Sequence, residues 1–236
     1  MTVDSQEFFA ALDETVRKGW EEVHAGQFWQ HMRANGIDLD LYRNFMVELY
    51  HYTRHNSINQ AFAAWRVPPE KMGMLRFCYE HAEEELGHEK MVEHDLAAVG
   101  LLTPGLLERP PLPPTQALIG YLYHVGLEFG AIPRLGYSYW AESAYDHLGE
   151  ALNAVRAGLG VSDREMSFFV AHQSIDTKHA QEVRQALERY ATDPVDQARA
   201  IDVARTTLYL TGQLLEVSYA EYIKAPRLAA AGQVSN

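Results

Sequence analysis

Apolar residues recur at helical spacing through almost the whole chain, and no run shows the alternation of a half-buried strand. The pattern predicts an all-α fold. Phe8, Phe9, Leu12, Val16, Trp20, Val23 and Phe28 predict one helix or a broken pair from Ser5 to Ala34, stopped at Asn35-Gly36. A second helix is expected from Leu39 to Trp65, ahead of Pro68-Pro69, and a third from Glu70 to Val99, ended by Gly100. Thr103 to Pro114 then carries Pro104, Pro110, Pro111, Pro113 and Pro114, which forbid a helix and give a stiff surface crossover within one domain, residues 1–236. Helix resumes near Thr115 and reaches Leu159, with Pro133 inside its apolar pattern to kink or end it. Ser162 and Glu165 form a capping box that opens a helix to Tyr190, and Asp193-Pro194 starts the last one, to Ile223. The tail 226–236 is expected to fray. No repeat or low-complexity tract interrupts this order.

Composition narrows the class. A hydrophobic fraction of 47% and a charged fraction of 22% suit a folded protein rather than a disordered one. The net charge of -12 argues against nucleic acid, whose phosphates need a basic face. No apolar stretch approaches the ~18 residues of a membrane span, and the acidic start MTVDSQEFFAALDE does not read as an export signal. The single cysteine, Cys78, excludes an internal disulfide and a cysteine zinc site and suits a reducing cytoplasm. Next to apolar Phe77 it reads as packing rather than as a nucleophile. No phosphate-binding, nucleophile-elbow or dinucleotide motif occurs. Against this background the 11 histidines stand out.

In FFVAHQSIDTKHAQEV, His172, Asp176 and His179 stand at i, i+4 and i+7 and project within a fan of roughly 60°. Two imidazoles and a carboxylate on one helix face suit iron or manganese when no thiolate is at hand. The plainer reading is a polar surface stripe. In YEHAEEELGHEKM, Glu85 and His88 have the Glu-x-x-His spacing of two-iron bundles, flanked by Glu84 and His81. Such a charge run is otherwise solvated surface. Two ligand-type faces on two long helices favour metal over both plain readings. A two-metal site needs a further carboxylate, and Glu128 is the first choice because apolar residues and glycines surround it. Glu142 is the second candidate, and Glu48 a further ligand or proton relay. His51 and His55 read as core or surface histidines, and the aromatic residues as core with a few free to line a pocket.

Glu-Glu-Leu-Gly-His at 84–88, Glu128 followed by Pro133, and Phe-Phe-x-x-His-x-x-x-Asp-x-x-His at 168–179 resemble the haem-oxygenase-like diiron oxidases and oxygenases, within the superfamily of haem oxygenase, TenA and PqqC. The resemblance implies a bundle of about seven helices binding two irons through Glu85 or Glu84, His88, Glu128, His172, Asp176 and His179. The interval from Glu128 to His172 is longer than the family pattern, which keeps Glu142 in play. It further implies dioxygen as co-substrate, oxidation of a small amino-acid, fatty-acid or related substrate, and an external electron donor. Two rival readings follow from the superfamily: a haem protein with His24 as proximal ligand, and a metal-free TenA- or PqqC-like protein. A third is a helical interaction protein without chemistry. The long apolar last helix, Leu208 to Tyr222, offers a face for a homodimer or simply completes the core.

Overall fold

The computed structural model describes residues 5–225, with the backbone alone at 174–177. Ten α-helices follow one another along the described residues: α1 (Ser5–Ala25), α2 (Gln27–Asn35), α3 (Leu39–Ala63), α4 (Met72–Glu84), α5 (Glu89–Ala98), α6 (Pro113–Glu128), α7 (Ala131–Ala141), α8 (Tyr145–Leu159), α9 (Ser167–Tyr190) and α10 (Pro194–Lys224). The all-α expectation holds, and the count exceeds seven because two expected helices are broken.

The helix expected over 70–99 is two, α4 and α5, separated by a turn over 85–88. Gly87 sits there with φ 91°, a conformation that strains any residue with a Cβ. The helix expected from Thr115 to Leu159 is three. The N–H groups of Phe129 and Gly130 both fold back onto the Val125 carbonyl, 2.8 and 3.0 Å away, and close α6. Pro133 then falls in the first turn of α7, where its missing N–H costs nothing. Pro113-Pro114 likewise open α6 two residues before the expected start. The Ser162–Glu165 capping box is present, but it closes a single 3-10 turn, and α9 begins afresh at Ser167.

Several helix ends are capped from other elements, which ties neighbours together. Asp95 of α5 accepts from the Ser167 N–H (2.9 Å) and the Phe168 N–H (3.0 Å), so one buried carboxylate satisfies the exposed donors at the start of α9. Glu48 of α3 does the same for the start of α6. α10 runs along α1, α6 and α7, while α3 packs on α4, α5 and α6, and α9 on α4, α5 and α7. At the α7–α10 crossing the backbones touch: a Cβ on Gly136 would lie 2.0 Å from the Ala200 carbonyl oxygen. The buried apolar side chains form one continuous cluster that includes Leu12, Leu41, Met46, Met74, Leu118 and Leu187. Each such side chain stabilises the fold by roughly 1.5–3 kcal/mol. No described helix is long and apolar enough to cross a membrane.

Candidate metal centre

Within this apolar interior α3, α4, the 85–88 turn, α7 and α9 converge, and each brings polar side chains inward. The turn inverts the usual order, burying Glu85 and His88 while Leu86 between them is 69% exposed. α7 ends at Glu142, which is buried, and α9 contributes His172 and His179 from one face. His81 of α4 completes the group. Two sets of donor atoms result: His81, Glu85, Glu142 and His179 in one, and Glu85, His88 and His172 in the other, the atoms of each set lying within 4.8 Å of one another. Glu85 belongs to both.

The distances follow that division. His179 Nδ1 is 3.3 Å from Glu142 Oε2 and 3.7 Å from Glu85 Oε1. His88 Nδ1 is 3.2 Å from Glu85 Oε2, and His81 Nε2 is 3.3 Å from Glu142 Oε1. All three nitrogens are buried with no well-aligned hydrogen-bond partner. The outer nitrogens, by contrast, are engaged. His179 has a carboxylate oxygen at each nitrogen, Glu84 Oε2 3.1 Å from Nε2 and Glu142 Oε2 3.3 Å from Nδ1. A carboxylate oxygen only accepts, so both nitrogens carry hydrogen in the metal-free protein and the inward Nδ1 offers a lone pair once its proton leaves. His172 Nδ1 lies 2.7 Å from the Phe168 carbonyl oxygen, which leaves the Nε2 lone pair free by the same logic.

Charge is balanced by protons. Burial pushes the His179 ring down, but the Glu142, Glu85 and Glu84 carboxylates outweigh it and raise the pKa to about 9. Burial likewise pushes Glu142 up, and the hydrogen bonds and charges of His179 and His81 prevail and pull it down. His88 is raised because Glu85 overcomes the burial of its ring. Burial pushes His172 down, so it is neutral at pH 7. A cation of higher charge can displace these protons. The inward lone pair of His172, the His179 Nδ1 once a cation displaces its proton, two buried carboxylates and no thiolate fit iron or manganese.

Not every expected residue arrives. Glu128 is exposed at the last turn of α6: the buried stripe there is Thr115, Leu118, Leu122 and Val125, and Glu128 falls beside it with exposed Leu127. The break at Gly130 turns α7 inward instead, so the second candidate, Glu142, takes the place expected for Glu128. Glu48 is buried but committed to capping α6 through the Leu112 N–H at 2.9 Å and the Thr115 hydroxyl, away from the cluster. Glu84 lies outside these two buried sets, half exposed and paired with Lys178 at 2.9 Å, and forms an outer group of donor atoms with His179 and Glu182. His81, a lesser candidate, lies within. The Asp176 side chain is outside the described residues. His24 packs on Trp29, its Nε2 meets the His147 carbonyl oxygen at 3.1 Å, and it belongs to neither donor set. His51 is buried on α3 and His55 bonds Tyr123, and neither joins the cluster. Cys78 is buried, and burial pushes its thiol up to about 11, which keeps it unreactive.

Three residues outside the expected set support the cluster. Asn56 Nδ2 donates to Glu85 Oε2 at 2.9 Å, Gln60 Nε2 lies 2.6 Å from His81 Nδ1, and Arg134, 1% exposed, holds both amides from behind. The signals were a lone arginine in the apolar run AIPRLGYSYW and the amides of HNSINQ. An apolar cavity of about 140 Å³ opens beside the centre, bounded by Trp29, Phe45, Trp140, Phe168 and Phe169 and ending on Glu85, Glu142 and His172, with no lysine or arginine in its wall.

A family described as iron-containing redox enzymes matches residues 43–212, a span that holds every donor above. The chain belongs to this family. Solved structures agree on the fold. A domain of unknown function with a haem-oxygenase-like fold from Shewanella denitrificans is 35% identical, covering 91% of this chain and 93% of that one with a TM-score of 0.88. A TenA homologue from Pyrococcus furiosus, 18% identical over 90% and 100% of the chains, superposes with a TM-score of 0.71. A CADD-like protein of unknown function from Nostoc punctiforme, 14% identical over 92% and 99%, gives 0.59. No curated protein matches significantly. The chain thus has a haem-oxygenase-like helical fold, and the description of its family points to iron.

Proposed function

We propose that the protein is an oxidase or oxygenase that uses a pair of irons and dioxygen to oxidise a small substrate held in the aromatic cavity. The observation that carries this reading is the position of Glu85, with Oε1 toward His179 and Oε2 toward His88. A carboxylate that offers one oxygen to each of two donor sets suits a bridged pair of metals. In this reading Glu142 and His179 would hold one iron and His88 and His172 the other, with Glu85 available to either set. Asp176, four residues after His172 and three before His179, shares their helix face and would complete the set. Bound ferrous iron supplies the electrons and open coordination positions that dioxygen activation needs.

The chain's own residues do the rest. Trp29, Phe45, Trp140, Phe168 and Phe169 exclude water and grip the apolar body of a substrate, while Thr53 and Asn56 offer polar contacts nearer the centre. The wall holds no cation, so an acidic end of an amino-acid or fatty-acid substrate is directed at the centre itself. On the opposite side a polar groove bounded by Arg76, Glu80, Glu84, Lys178, Glu182 and Arg189 suits the approach of ions and of an external electron donor.

The metal-free alternative gives no use to two buried donor sets that share Glu85, and the haem alternative meets a His24 ring already tied to a carbonyl. Anaerobic addition of ferrous iron to the metal-free protein, with irons counted per chain and dioxygen then admitted, tests the reading. Two irons and an oxygen-dependent optical transient are expected. Absence of iron uptake ends the proposal.

A further inference from the structure

Arg134 of α7 is buried, and among the described residues no carboxylate pairs with it directly. Its five N–H groups go to neutral acceptors. Nε donates to Asn59 Oδ1. Nη1 donates to Gln60 Oε1 at 3.1 Å and to Ser138 Oγ at 3.0 Å. Nη2 donates to Asn56 Oδ1 at 2.8 Å and to the Asn56 carbonyl at 3.5 Å. A guanidinium has donors only, so it dictates which way each amide faces. The oxygens of Gln60 and Asn56 must point at Arg134, and their NH2 groups must point away, toward the cluster. Reversing either amide would set N–H against N–H beside a buried guanidinium.

At Asn56 the outcome is a donor to Glu85. At Gln60 it is more consequential, because the NH2 group meets His81 Nδ1 at 2.6 Å. A nitrogen that accepts there has its lone pair turned to Gln60, and the hydrogen of the neutral ring sits on Nε2. That is the nitrogen 3.3 Å from Glu142 Oε1. His172 and His179 have the opposite arrangement outside: their outer nitrogens face acceptors, Phe168 O and Glu84 Oε2, so the outer nitrogen carries the hydrogen and the inward one is the nitrogen a metal can take. One rule thus separates three histidines that burial and proximity alone would group together.

We propose that His81 is not a metal ligand but a hydrogen-bond donor that orients the Glu142 carboxylate, with its tautomer set by the Arg134–Gln60 pair. Arg134 and Gln60 are then positioning residues acting through His81, and the metal held by Glu142 and His179 has one imidazole. This rests on the two-metal reading only for its consequence. The tautomer itself belongs to the metal-free protein.

The test is a long-range proton–nitrogen correlation spectrum of protein labelled with 15N-histidine, recorded metal-free and after addition of zinc alone. His81 is expected to show a bare Nδ1 and a protonated Nε2 in both states, while His172 and His179 change on zinc addition. A hydrogen on Nδ1, or loss of the Nε2 hydrogen to zinc, overturns the proposal. Gln60→Glu replaces the donor with an acceptor that still pairs with Arg134, so it should move the His81 hydrogen to Nδ1. A tautomer unchanged in that variant counts against the assigned cause. His81→Gln, which keeps an N–H for Glu142, should retain both metals with affinity within about threefold, whereas losing the donor that orients a ligand costs about 10- to 100-fold. Loss of one metal per chain, as in His179→Ala, identifies His81 as a ligand. If zinc and iron both fail to bind, the two-metal reading falls and the metal-free spectrum still decides the tautomer.

Discussion

Glu85 and Glu142 show why single side chains matter most where the interior is driest. A buried carboxylate is tolerated only when it is paired, and here histidines and amides pair both. Replacing Glu142 with Gln removes one oxygen anion from the centre, and we expect iron affinity at one of the two positions to fall by at least about 100-fold in a chelator competition. Glu128→Gln should leave iron content unchanged, since Glu128 faces solvent. The protons yield a pH dependence of definite sign. His179 has its pKa raised from 6.5 to about 9, so its contribution to the stability of the metal-free fold is complete below about pH 6.5 and is lost as pH climbs through 9. Glu142 is lowered, so its contribution is present above 4.5 and lost on acidification. Melting temperatures of the metal-free protein should therefore peak between these limits and fall on both sides. In the proposed site iron would compete with the His179 proton, so apparent affinity in the same titrations should rise with pH up to about 9.

Helices were legible at the level of the element, and their interruptions were not. The hydrophobic period marks which residues face inward along a helix, but a break at Gly87 or Gly130 leaves that period almost intact on either side. The break at 85–88 is what turns Glu85 and His88 together toward the interior. Gly87→Ala should cost about 1–2 kcal/mol because φ there is positive, and should lower iron affinity as the turn rearranges. Asp95→Ala uncaps α9 from a neighbouring helix. About 0.5–2 kcal/mol of stability should go with it, read as a shift in the denaturation midpoint. Asn, of the same length but with one neutral acceptor oxygen in place of two, should recover part of the loss.

The whole molecule supplies what no single helix has, an apolar chamber ending on a polar cluster. Ala144 and Ala151 line that chamber, and Ala144→Phe should fill it without touching a donor. Iron uptake should stay at the level of the unaltered protein while thermal stabilisation by small aliphatic or aromatic acids disappears. A variant that loses both would mean the cavity and the centre cannot be separated.

Local sequence decided that the chain is helical, where most helices begin and end, and that His172 and His179 share a face, because helical period and capping chemistry act within a few residues. Glu85 and His88 were recognisable as chemistry from their spacing alone. Only the tertiary structure decided between Glu128 and Glu142, sent Glu48 to cap a helix, and brought Arg134, Asn56 and Gln60 behind the cluster. Those outcomes depend on which side of each helix meets a neighbour and on which amide faces which ring. Both are set by packing between segments far apart in the chain, to which hydrophobic periodicity along one segment is blind.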